Sequence, residues 1–215
     1  MNDYIAPSKP TQKAYYGKHL IYFPSRKNKC QIICHSQLEA DYCVHLEYDS
    51  NVVHYKSQPT TLQLLIEDRY RSYTPDFFVE TLDSYYYTEV KVDFGNLSSK
   101  CNSKLHAARL HLLKIGQPLK FADEKTIREC GTFASKKFLY LHSFNVTPDE
   151  FGYCMHILRK ATYPVTLKEL IKSFDSLNIR CLYKAMFEQK LTFDIERRLD
   201  LLTTLRGYQN VNDHS

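Results

Sequence analysis

The sequence is sparing with chain breakers, having six glycines and eight prolines in 215 residues, and it contains no internal repeat or low-complexity tract. That excludes a repeat array or a linker-like chain. No run approaches the ~18 uninterrupted apolar residues of a membrane-spanning helix, so no membrane partner is expected. The opening residues, Met1 to Pro10, lack the apolar core of a signal peptide, and the expected compartment is the cytoplasm. Cysteine is present but poorly arranged for disulfides: seven residues, an odd number, at irregular spacing. Cys30, Cys34 and His35 form the only cluster with any look of metal ligands, and no second ligand pair at short spacing follows to complete a zinc site. Buried free thiols are expected instead. What remains is ordinary globular material. With 43% hydrophobic and 25% charged residues, wholesale disorder is excluded, and the length suits one large or two small domains.

The formal net charge of +5 hides an uneven distribution. Residues 1–38 carry +5, residues 39–95 carry −7, residues 96–144 carry +6 and residues 145–215 carry +1. An acidic block between two basic ones suits a metal site acting on a polyanion, with carboxylates for the cation and Lys and Arg for phosphates. Solvated faces with no partner produce the same pattern, so charge alone leaves both readings open.

Residues 1–18 have no clear periodicity and read as a flexible arm. A helix is expected from Ser36 to Tyr48: Ser36 is a good N-cap, Glu39 follows as in a capping box, and Leu38, Tyr42, His45 and Leu46 share a face. Strand-like runs follow at 52–57, 62–67, 73–81 and 85–92, the last two close enough to form a hairpin. Helical spacing returns from Leu97 to Ile115 and stops at Gly116, with Lys100, Lys104 and Arg109 on the polar side, Lys100 and Lys104 being expected contacts for the phosphates of a polyanion. A strand at 118–122, a short helix at about 123–130 and the apolar run Phe138 to Leu141 complete the unit. This order predicts an α/β domain over 19–145, a mixed sheet with helices on both faces. Thr147-Pro148 opens a fresh helix. Helices at 148–160, 166–174 and 179–189, then the runs 191–195 and 199–205, outline a mainly helical, winged-helix-like domain over 146–215. An unrelated helical appendage would read the same way.

The informative stretch is Thr74-Pro75-Asp76-Phe77, then, with twelve residues between Asp76 and it, Glu89-Val90-Lys91. Alternation along a strand places Glu89 and Lys91 on one face and Val90 on the other. If the two strands pair, Asp76 approaches Glu89 at one end. Two carboxylates and the Val90 carbonyl make a hard-oxygen set suited to Mg²⁺, and Mn²⁺ should substitute. Lys91 beside them could orient a water or steady charge developing on a phosphate. Glu39 could complete the site, although the capping box with Ser36 explains it without catalysis. The Arg26-Lys27-Asn28-Lys29 run, with Lys18 upstream, reads as a grip on backbone phosphates or as a solvated loop. The 17 tyrosines, Tyr85-Tyr86-Tyr87 among them, are expected to pack a half-buried strand rather than stack on bases.

Six ordered blocks carry a resemblance: Phe23-Pro24-Ser25-Arg26-Lys27, Ser36 to Asp41, Leu46 to Val52, Gln58-Pro59, Tyr73 to Phe77 and Glu89-Val90-Lys91. Over residues 20–95 the chain resembles the TnsA family, the endonuclease subunit of heteromeric transposases. The resemblance implies a restriction-endonuclease-like fold in which Glu39, Asp76 and Glu89 bind Mg²⁺, Val90 lends its carbonyl and Lys91 is the catalytic lysine. It also implies a bacterial cytoplasmic protein that cuts the 5′-side strand of double-stranded DNA at transposon ends. A TnsB-like transposase would cut and join the 3′ side, and a TnsC-like AAA+ ATPase would dock, partly through the C-terminal domain. The compact length suggests the TnsA type of CRISPR-associated transposons. His35 departs from the family, whose members often have glutamate there; a neutral supporting group and a plain surface residue are both open. Two alternatives stand beside this expectation: a stand-alone restriction or repair nuclease of the same fold, and a catalytically silent scaffold bridging transposase and ATPase.

Overall fold

The computed structural model describes residues 20–174 and 177–209. The expected arm over 1–18, Lys18 included, lies outside the described residues. Contacts divide the chain into two units that meet between Glu129 and Cys130.

The first unit opens with a hairpin of β1 (Ile21–Ser25) and β2 (Cys30–Cys34), paired antiparallel. Helix α1 (Gln37–Tyr48) follows, with Ser36 as its N-cap accepting from the Glu39 N–H. The strands β3 (Val52–Ser57), β6 (Phe77–Thr81), β7 (Tyr85–Lys91) and β8 (Leu119–Asp123) form one mixed sheet in the order β3-β6-β7-β8. Its first two pairings are antiparallel and the β7–β8 pairing is parallel. The parallel pair needs a crossover, supplied by α2 (Ser99–Lys114). Two further strands, β4 (Leu62–Ile66) and β5 (Arg69–Tyr73), make a hairpin between β3 and β6 in the chain, and α3 (Glu124–Arg128) closes the unit.

Helices cover both faces of the sheet. On one, Tyr42 of α1 lies 5.5 Å from the Phe77 ring and its hydroxyl is 3.1 Å from that of Thr88. On the other, Leu105, Ala108 and Leu112 of α2 pack with Leu64, Tyr73, Tyr87 and Leu119. Period-two alternation along β7 therefore sends Thr88 and Tyr87 to opposite helices. The expectation of an α/β unit with a mixed sheet between helices is met.

Two local expectations change. The strand expected over 73–81 is broken, because Thr74, Pro75 and Asp76 separate β5 from β6. Pro75 has no N–H to give to a ladder. Residues 68–71, left between the strand-like runs 62–67 and 73–81, divide: Arg69, Tyr70 and Arg71 are the exposed start of β5, and Glu67 and Asp68 form its turn with φ of 51° and 56°.

The second unit contains α4 (Phe133–His142), α5 (Pro148–Lys160), α6 (Leu167–Ser173) and α7 (Ile179–Phe187). Four two-residue strands pair antiparallel: β9 (Val165–Thr166) with β11 (Thr204–Leu205), and β10 (Leu191–Thr192) with β12 (Gly207–Tyr208). Phe138 to Leu141, expected to complete the first unit, lies inside α4 and belongs here. Tyr140 packs 5.5 Å from Phe187, and Phe138 packs 5.2 Å from Tyr183. Those aromatic contacts move the division between units from the expected 145/146 to 129/130. The runs 191–195 and 199–205 do not pair as one ribbon, because β10 takes β12 and β11 takes β9.

Candidate active site

Strand β7 ends on Glu89-Val90-Lys91, and the β5–β6 break puts Asp76 beside it. The break has a structural use: a residue inside the β6 ladder would offer only its side chain to one face, whereas Asp76 in the gap turns its carboxylate onto the neighbouring backbone. Its Oδ2 accepts from the Val90 N–H at 2.7 Å. The Lys91 ammonium lies 2.7 Å from Glu89 Oε1 and 3.5 Å from Asp76 Oδ2, and it donates to the Val90 carbonyl at 3.1 Å. Asp76, Glu89, Val90 and Lys91, expected together from spacing alone, therefore meet at one end of the β6–β7 pair.

The electrostatics are strained. Burial, then the charge of Glu89, push the Asp76 carboxyl up to about 7, against the pull of Lys91 and the Val90 N–H. Glu39 adds a smaller push in the same direction. Burial works against the Lys91 charge, but Asp76 and Glu89 outweigh it and raise its pKa, so Lys91 is held as an ammonium. A single cation thus serves two carboxylates.

Glu39 is 7% exposed in the first turn of α1. Its carboxylate is occupied locally: Oε2 accepts from the His35 N–H at 2.8 Å and Oε1 from the Ser36 hydroxyl at 3.0 Å. The Ser36 cap is present, but the expected reciprocal box is not closed, because the Glu39 carboxylate takes the N–H of His35 instead of that of Ser36; Asp76 feels the Glu39 charge. The strap between helix and strand is Gln58. Its side-chain amide is 2.6 Å from His35 Nδ1, and its N–H donates to the Asp76 carbonyl at 2.8 Å. His35 is thereby a neighbour of the site, through backbone to Glu39 and through Gln58 to Asp76.

Among the described residues, no three His, Cys, Asp or Glu side chains converge as they stand on a metal-holding arrangement. The donor chemistry nevertheless fits a hard divalent cation. Half-buried Asp76 and buried Glu89 bring two carboxylates to one lysine, and the Val90 carbonyl adjoins them. Cys34 sits in the core with its Sγ 3.7 Å from that of Cys43, whereas Cys30 is exposed, so these cysteines are apart.

The expected phosphate contacts divide. Lys27 is turned inward: its ammonium donates to the carbonyls of Asp49 and Val52, and burial lowers its pKa despite Glu47 and Asp49. The same loop is anchored on buried Glu47, which accepts from the Arg26 N–H at 3.1 Å and the Tyr55 hydroxyl at 2.8 Å. Lys29 and Lys100 are exposed. Lys104 is half-buried, with its Nζ 5.8 Å from the centre of the Tyr73 ring.

Tyr73 is the residue that sequence reasoning passed over. It is 3% exposed, and its hydroxyl donates to Glu89 Oε2 at 2.7 Å. Its signals were its place immediately before Thr74-Pro75-Asp76 and at the head of the fifth block of resemblance, neither of which gave it a role. No family model matches the chain, and no curated protein matches it in sequence.

Proposed function

We propose that the chain is a Mg²⁺-dependent DNA endonuclease, the TnsA-like subunit of a heteromeric transposase, cutting the 5′-side strand at transposon ends. The observation that carries this reading is the meeting of Asp76, Glu89 and Lys91 around the Val90 peptide, at a strand end flanked by a helix carrying Glu39. The six blocks of sequence resemblance supply the family and its partners, a TnsB-like transposase and a TnsC-like AAA+ ATPase. On this reading the first unit is a restriction-endonuclease-like domain. The second is winged-helix-like, with α5, α6 and α7 as its helices and the short strand pairs as its wing. Its partner is protein rather than DNA, in keeping with the small net charge, +3, of residues 130–215.

Asp76, Glu89 and the Val90 carbonyl would hold the cation, with Glu39 the added carboxylate from α1. When bound, Mg²⁺ supplies Lewis-acid stabilisation of the phosphate and acidifies a coordinated water. Lys91, released from its two carboxylates when that charge is met elsewhere, is free to swing its ammonium to the phosphate or to the attacking water. Lys29, Lys100 and Lys104 offer charge to the DNA backbone. Asp76→Ala and Lys91→Ala should each abolish nicking, by at least about 100-fold, while leaving the circular dichroism spectrum unchanged. Cleavage undiminished in both variants overturns the reading.

A further inference from the structure

We infer that Tyr73 is a positioning residue for Glu89, fixing which carboxylate oxygen faces the metal side of the site; the inference rests on the metal-nuclease reading above. Glu89 has two oxygens and a rotatable terminal torsion, so a strand position alone does not decide how it presents them. The structure holds both ends. Tyr73 donates to Oε2 at 2.7 Å, and Lys91 reaches Oε1 at 2.7 Å. The two partners differ in conformational freedom. Lys91 is a flexible side chain, one-third exposed, whereas the Tyr73 phenol is locked into the core with Leu64, Leu105 and Leu112.

The lock is built from three elements. Tyr73 ends β5, paired across the hairpin with Leu62, its ring packs on α2 with Lys104 over it, and its backbone leads directly into Thr74-Pro75-Asp76. The phenol has one proton to give and a carboxylate oxygen accepts it, so Tyr73 is the donor to Glu89. A carboxylate that accepts a fixed hydrogen bond on one oxygen offers the other to a cation in a single orientation. Partners of this kind typically contribute 10–100-fold to metal affinity or activity. The β4–β5 hairpin and α2 thus act on the site through one hydroxyl group.

The test uses Tyr73→Phe, which keeps the ring and its packing and removes only the hydroxyl. Mn²⁺ alone is titrated into the full-length chain and the loss of the free-ion electron paramagnetic resonance signal is followed. The midpoint should rise about tenfold or more relative to wild type, with the melting temperature of the metal-free protein recorded alongside as a check on folding. In a Glu89→Gln background the same substitution should leave the midpoint where Glu89→Gln alone puts it, because the hydroxyl acts through the carboxylate. A wild-type midpoint in Tyr73→Phe, or an equal further rise in the Glu89→Gln background, overturns the assignment. Asp76→Asn separates this failure from that of the function. If Asp76→Asn binds Mn²⁺ as the wild type does, the metal site itself is wrong. If Asp76→Asn loses binding and Tyr73→Phe does not, the nuclease reading stands without Tyr73.

Discussion

Asp76 is the residue on which the site's pH behaviour turns. Its carboxyl is pushed up to about 7 by burial and by Glu89, from an ordinary value near 4 in the unfolded chain. An acid with a raised folded-state pKa contributes its full stability at low pH and loses it as pH climbs through the folded value. Metal-free wild-type protein should therefore lose stability between about pH 4 and pH 7 through this group, and Asp76→Asn should flatten that part of the profile. Thermal melts in chelator across the range check it; an equally steep loss in Asp76→Asn contradicts the cause given. The same competition makes protons rivals of the cation, so Mn²⁺ affinity should rise up to about pH 7 and then level off. Asp76, Glu89 and Lys91 were legible in the sequence because strand alternation and a hairpin fix their relative places. Tyr73 and Gln58 were not, because each acts across elements distant in the chain, and no period in the sequence marks a partner sixteen or eighteen residues away. Lys27 misled for a related reason: a basic loop looks solvated until the carbonyls it caps are folded against it.

At the scale of elements, α1 joins stability to chemistry. Ser36 accepts from the Glu39 N–H and donates to its carboxylate, so one hydroxyl both caps the helix and holds a candidate ligand. Ser36→Ala should cost about 1 kcal/mol, lowering the melting temperature by about 2–4 °C. It should also weaken Mn²⁺ binding if Glu39 serves the metal. A lowered melting temperature with unchanged Mn²⁺ affinity would assign Glu39 to capping alone. Helices with caps read well from sequence: α5 starts at Pro148 behind Thr147, and its box with Glu150 is present as a pair of hydrogen bonds. Hairpins read poorly. The β4–β5 turn uses Glu67 and Asp68 in the left-handed region, where Asn-Gly or Asp-Gly would have announced it. Strand β5 then carries four exposed residues in a row, which looks like a spacer rather than half a hairpin. The β1–β2 hairpin escaped notice for want of clear alternation, since Cys30 and Gln31 are both exposed.

At the scale of the whole molecule, every expected metal-site residue lies in the first unit, and the acidic block of the sequence is its centre. A chain ending at Glu129 should keep Mn²⁺ binding and its dependence on Asp76, with the titration midpoint within about twofold of the full chain, because Glu39, Asp76, Glu89, Val90 and Lys91 all lie in the first unit. Loss of binding on truncation would show that the second unit contributes to the site. The division itself was half legible: two units were expected, and the boundary moved by sixteen residues because α4 joins α7 through aromatic packing. The charge pattern, ambiguous as a linear map, acquires a physical meaning once Asp76, Glu89 and Lys91 meet. The most direct measurement is strand-specific cleavage of end-labelled transposon-end DNA with Mg²⁺ and the partner transposase, comparing wild type with Lys91→Ala. The expected result is a 5′-side nick by wild type that requires both metal and partner and disappears in Lys91→Ala. A nick that persists in Lys91→Ala, or wild-type protein that leaves the 5′-side strand intact under these conditions, would contradict the function proposed here.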